Sequence, residues 1–90
     1  MDDNSFNILV IDDEEPIRRL LANELADERR TIHVAEDGSQ GLRMVREFWF
    51  DVVLLDLKLP DVQGLELLIA IRESVPDCEV IMITGHGDID

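Results

Sequence analysis

Two apolar runs in this 90-residue chain end in carboxylates. Ile8-Leu9-Val10-Ile11 runs into Asp12-Asp13, with Glu14-Glu15 behind them, and Val52-Val53-Leu54-Leu55 runs into Asp56. Three carboxylates held close together repel one another, so an uncompensated cluster raises a pKa or weakens the fold. A hard divalent cation resolves that conflict, and an oxygen-only set of this size suits Mg²⁺, which keeps several of its waters. Asp56 stands alone at the end of its run, and a lone carboxylate beside such a metal is a nucleophile toward phosphorus. The metal would neutralise charge on the phosphoryl oxygens. A further run, Val80-Ile81-Met82-Ile83, ends in Thr84, whose hydroxyl would lie at the same pocket. Plainer readings exist for each residue. Asp12 and Asp13 can begin a loop and cap a helix, and Thr84 can close a strand by bonding backbone. One acid-ended run alone is a weak signal, and two on neighbouring strands are much stronger.

Those acids need elements to bring them together. The four short runs, counting Ile32-His33-Val34-Ala35, are rich in β-branched residues and read as strands. The first, third and fourth are continuously apolar, which predicts cover on both faces. The second alternates and predicts an edge. Helical patterns separate them. Pro16 sits where a first turn tolerates it, and Ile17, Leu20, Leu21 and Leu25 form a stripe. Asp37 is an N-cap candidate for a second helix with Gly41, Leu42, Val45 and Phe48 or Trp49 inside. Gly64 opens a third with Leu67, Leu68, Ile71 and Val75 inside, and Pro76 stops it. The order β-α-β-α-β-α-β predicts an α/β fold, a doubly wound parallel sheet with right-handed crossovers. Ligands bind outside the carboxyl ends of such strands, where the order reverses. In a 2-1-3-4 order the first and third strands are neighbours, so Asp12, Asp13 and Asp56 converge.

Composition narrows the function. The net charge is −13, which works against binding nucleic acid or an anionic membrane directly. No apolar run approaches the ~20 residues that cross a bilayer. The acidic start Met1-Asp2-Asp3-Asn4 is unlike a signal peptide, and Cys78 is the only cysteine, so the expectation is a cytoplasmic protein without disulfides. No glycine-rich phosphate loop is present.

Taken together, Ile8 through Glu14, Ala35-Glu36-Asp37-Gly38, Asp51 through Pro60 with Gly64, and Ile81-Met82-Ile83-Thr84-Gly85 resemble the receiver domain of two-component response regulators. The ending Thr84 through Ile89 resembles receivers of nitrogen-regulation-type transcription activators. The resemblance implies a flavodoxin-like sheet and a phosphorelay. A sensor histidine kinase would pass a phosphoryl group to Asp56. Asp13 and Asp56 would ligate Mg²⁺ with the backbone carbonyl of Lys58, Asp12 would help through water, and Thr84 would contact the phosphoryl group and transmit its arrival. It also implies an output domain beyond the C-terminus, DNA-binding in the full-length protein. The family has a further helix, a fifth strand carrying a Lys, and a final helix, ~30 residues at usual element lengths. The expectation is therefore that residues 1–90 are an incomplete receiver. The fourth strand would become an edge, and the chain would dimerise or assemble further.

The remaining candidates favour ordinary roles. His33 reads as a surface residue, Lys58 and His86 as loop residues or lifetime-tuning positions, and Cys78 as unreactive. Phe48-Trp49-Phe50 reads as a helix end packed on the sheet, with Trp49 a contact residue if exposed. A phosphatase with a nucleophilic Asp needs a second acid two residues on, and Lys58 occupies that place after Asp56. The expectation is a signalling domain that catalyses only its own phosphorylation and dephosphorylation, rather than an enzyme with a separate substrate. The alternative is a receiver-like interaction module that is not phosphorylated.

Overall fold

The computed structural model describes residues 5–83. Its elements follow the alternation written in the sequence. They are β1 (Phe6–Ile11), α1 (Glu15–Leu25), β2 (Arg30–Ala35), α2 (Gly38–Glu47), β3 (Val52–Asp56), α3 (Gly64–Ser74) and β4 (Glu79–Ile83). All strand pairs are parallel, in the order β2-β1-β3-β4. This is the doubly wound, flavodoxin-like arrangement, and β1 is the strand from which the order turns both ways.

Side-chain alternation splits the sheet into two unequal faces. Leu9, Ile11, Val53 and Leu55 are fully buried on one face, where they meet Val45 of α2 and Leu67 and Ile71 of α3. Gly41 lets α2 approach that face closely, because a Cβ there would meet Ile11 at 2.4 Å. The opposite face carries α1 alone among the described helices. None of the residues of α1 is fully buried, and Leu20, expected inside, is 53% exposed. The continuous apolar runs therefore do not mean full cover everywhere. Ile81 of β4 is 47% exposed, and Val52 and Leu54 of β3 are only partly buried. β2 is an edge strand, as its alternation predicts.

Local signals explain most boundaries. Pro16 lies in the first turn of α1. The Asp37 carboxylate accepts the Gln40 N–H at 2.8 Å and caps α2. α3 runs from Gly64 to Ser74, with Pro76 just beyond. One expectation fails at the end of α2. The helix stops at Glu47, so Phe48 and Trp49 are exposed and Phe50 takes the buried place. The backbone turns extended at Phe48, and the period changes from helical to alternating before the aromatic triplet is complete. Asp51 then clips β3 to β1: its N–H donates to the Asn7 carbonyl and its carboxylate accepts the Asn7 N–H, both at 2.8 Å.

Candidate functional site: an acidic pocket at the strand ends

The register of the sheet assembles the pocket. β1 pairs with β3 so that Ile11 lies beside Leu55. One residue further along each strand, Asp12 and Asp56 emerge together at the carboxyl edge. Asp13 follows on the loop into α1. One carboxylate oxygen from each of Asp12, Asp13 and Asp56 lies within 4.8 Å of the other two. Asp12 and Asp56 are the only buried charged residues among those described, at 5% and 7% exposure, while Asp13 faces solvent. This is the switch point of the sheet, where a doubly wound fold binds its ligand.

Every polar group of the Asp12 backbone is held. Its N–H donates to the Ala35 carbonyl of β2 at 3.1 Å, and its carbonyl accepts a hydrogen bond from the Arg18 guanidinium at 2.8 Å. Its carboxylate Oδ1 accepts the Glu14 N–H at 2.9 Å. Burial pushes the Asp12 carboxyl above its ordinary range, and the charges of Asp56, Asp13 and Glu14 add to that rise. The Glu14 N–H opposes it in part. A carboxylate made costly first by burial and then by neighbouring acids is one that a bound cation would stabilise.

Asp56 is positioned by a tightly closed loop. Its Oδ1 accepts the Lys58 N–H at 3.2 Å, and the Gly64 N–H donates to the Leu57 carbonyl at 3.0 Å. Lys58 and Gln63 form an isolated bridge that folds the loop back on itself. A Cβ on Gly64 would lie 2.7 Å from the Leu57 Cα, so glycine is what permits the closure. Lys58 thus stands next to Asp56, with its N–H already engaged there.

The other candidates separate cleanly. Thr84 and His86 lie outside the described residues. His33 is exposed on β2 and meets Phe50 edge-on, ring centres 5.4 Å apart. Cys78 is buried, and that burial, with Asp51 and Glu79 nearby, pushes its thiol up and away from reactivity. Two residues that sequence reasoning left aside prove to organise the pocket. Arg18 is one. Asp61 is the other, accepting the Gly38 and Ser39 N–H groups at 2.9 Å each and so tying the loop after β3 to the start of α2. An acid a few residues after a strand gives little linear signal of such a long-range cap.

The response regulator receiver domain family matches residues 8–90. The chain belongs to the response regulator receiver family. A putative NtrX-like response regulator of Rickettsia felis is 37% identical over 89 residues, covering 97% of this receiver chain and 19% of that protein. The transcriptional regulatory protein ResD of Bacillus subtilis is 40% identical over 85 residues, covering 94% and 35% respectively. The receiver chain thus spans less than two thirds of the curated relatives it matches, which are transcriptional regulators. Among solved structures, the response regulator TrrA of Thermotoga maritima, in complex with Mg²⁺-BeF, superposes with a TM-score of 0.84 at 38% identity, over 91% of this chain and 71% of that one. Sheet order and helix placement agree with the receiver fold. Among the described residues no helix is long and apolar enough to cross a membrane.

Proposed function

We propose that this receiver is the phosphorylation-controlled switch of a two-component system, with Asp56 as the phosphoryl acceptor. The observation that carries the reading is the convergence of three carboxylates within 4.8 Å at the ends of β1 and β3, with Asp56 buried at the end of its strand. A carboxylate oxygen of Asp56 attacks the phosphorus of a phosphohistidine on a sensor kinase. The new P–O bond forms as the P–N bond breaks, and the leaving imidazole takes up a proton. The Lys58 N–H and the closed loop hold the Asp56 carboxylate in one orientation for in-line attack.

The donor set fits Mg²⁺, being all oxygen and carrying excess negative charge. Asp13 and Asp56 with the backbone carbonyl of Lys58 would hold it, and Asp12 would assist. When bound, the ion supplies charge neutralisation at the phosphoryl oxygens. Thr84, next in sequence after Ile83, would contact the transferred group and report its arrival. The receiver acts in the cytoplasm, passes its state to a DNA-binding output domain, and catalyses only its own phosphorylation and dephosphorylation. The NtrX-like and ResD relatives, named as regulators, support that placement.

The test is labelling by a small phosphodonor or by a kinase, with and without Mg²⁺. Mg²⁺-dependent label that disappears in Asp56→Asn is the expected result. Label that persists in that variant, or maps to Asp12 or Asp61, refutes the assignment. Silence of the unsubstituted receiver under every donor supports a module that binds partners without being phosphorylated.

A further inference from the structure

Asp12 and Asp13 are adjacent in sequence, so one peptide plane sets how both acids are presented. The oxygen of that plane is the Asp12 carbonyl, and Arg18 of α1 donates to it at 2.8 Å across six residues. The other two anchors of Asp12, to Ala35 and to Glu14, fix its N–H and its carboxylate but leave this plane unheld. Arg18 lines an open cleft of about 180 Å³ together with Val34, Glu36 and Gln40. We infer that Arg18 is a positioning residue for the cation site, holding the Asp12–Asp13 peptide so that both carboxylates meet Asp56.

The inference rests on the reading of the acidic pocket as a Mg²⁺ and phosphoryl site. The fixed planar fork of a guanidinium keeps a carbonyl oriented better than a flexible ammonium does. Among the described residues the guanidinium reaches the Asp12 carbonyl and forms no ion pair with either carboxylate of the pair. Its effect is therefore on presentation of the ligands and not on their identity. Partners of this outer kind change metal affinity by ~10–100-fold when removed.

The measurement is Mg²⁺ affinity by isothermal titration, on the intact chain and two variants, each with its thermal melt. Arg18→Met keeps a long unbranched side chain and removes every donor, and Arg18→Lys restores a charge and a donor. The expected result is a Mg²⁺ Kd raised by about tenfold in Arg18→Met with a melting midpoint close to the original, and a smaller rise in Arg18→Lys. An unchanged Kd in Arg18→Met overturns the inference. Equal weakening in both variants, tracking a lowered midpoint, also overturns it, because that is general destabilisation. If the unsubstituted chain binds no Mg²⁺, the reading of the pocket itself fails and this inference falls with it.

Discussion

At the scale of single residues, Asp12 carries the conflict that defines the pocket. Its folded pKa lies above the ordinary value of 3.8, chiefly through burial. The folded state therefore binds the proton more tightly than the unfolded chain does. As pH rises through the interval above 3.8, the metal-free protein loses stability from this group. Asp61 works in the opposite sense: the Gly38 and Ser39 N–H groups lower its pKa, so its contribution is present above 3.8 and is lost as pH falls below it. The two windows do not overlap, and a variant isolates the first. In melts from about pH 4 to 7, Asp12→Asn is expected to raise the metal-free midpoint most at the upper end and to reduce the Mg²⁺-induced gain. A midpoint in Asp12→Asn that falls at every pH would show that the carboxylate is not under repulsion.

At the scale of elements, the loop between β3 and α3 does the positioning. Leu57 to Gln63 connect the strand to α3, and Gly64 returns that segment against Leu57, its N–H donating to the Leu57 carbonyl at 3.0 Å. A methyl group there meets backbone at 2.7 to 2.9 Å on three sides, from the Leu57 Cα and the Asp56 and Leu57 carbonyl oxygens. Backbone cannot yield as a side-chain tip does. Gly64→Ala is expected to cost ~1–3 kcal/mol in urea unfolding, the usual range for forced overpacking. Because the shifted segment includes Asp56 and Lys58, labelling of Asp56 is expected to slow as well. A variant with an unaltered denaturation midpoint and labelling rate would show that the loop has room to relax.

At the scale of the whole molecule, two properties oppose each other. Among the described residues β4 is hydrogen-bonded to β3 alone, and Ile81 stands half exposed on the face that only α1 covers. Such an edge is a template for a second chain. Antiparallel pairing of two β4 strands about Ile81 sets Glu79 across from Ile83, so the two glutamates avoid each other. Each copy nevertheless carries a net charge of −13. Association of this chain into dimers is therefore expected, and it is expected to tighten with salt, since the Debye length falls from roughly 30 Å at 0.01 M to about 8 Å at 0.15 M. Light scattering over a dilution series at two ionic strengths checks this. A monomer mass throughout, or dimers that dissociate on adding salt, would contradict it.

The number, type and order of the elements are legible in the residues alone. Apolar runs of four, Pro16, Asp37, Gly64 and Pro76 are local signals, and alternation of strand and helix leaves few ways to wind a sheet. The acids Asp12, Asp13 and Asp56 are legible there too, because a strand ending in Asp at a switch point is readable from order alone. How those acids are held, and how well the strands are covered, depends on contacts between residues distant in the chain. The Arg18 bond to the Asp12 carbonyl spans a helix turn and a loop, and the Asp61 cap joins residues 23 and 22 positions apart. Neither has a period or a neighbour in the sequence to announce it. Cover fails in the same way: a run such as Val80-Ile81-Met82-Ile83 records that its side chains are apolar, while burial depends on which elements pack against each face. Phe50, not Phe48 or Trp49, enters the core because α2 ends at Glu47, and one residue more or less of helix exchanges the aromatic that points inward.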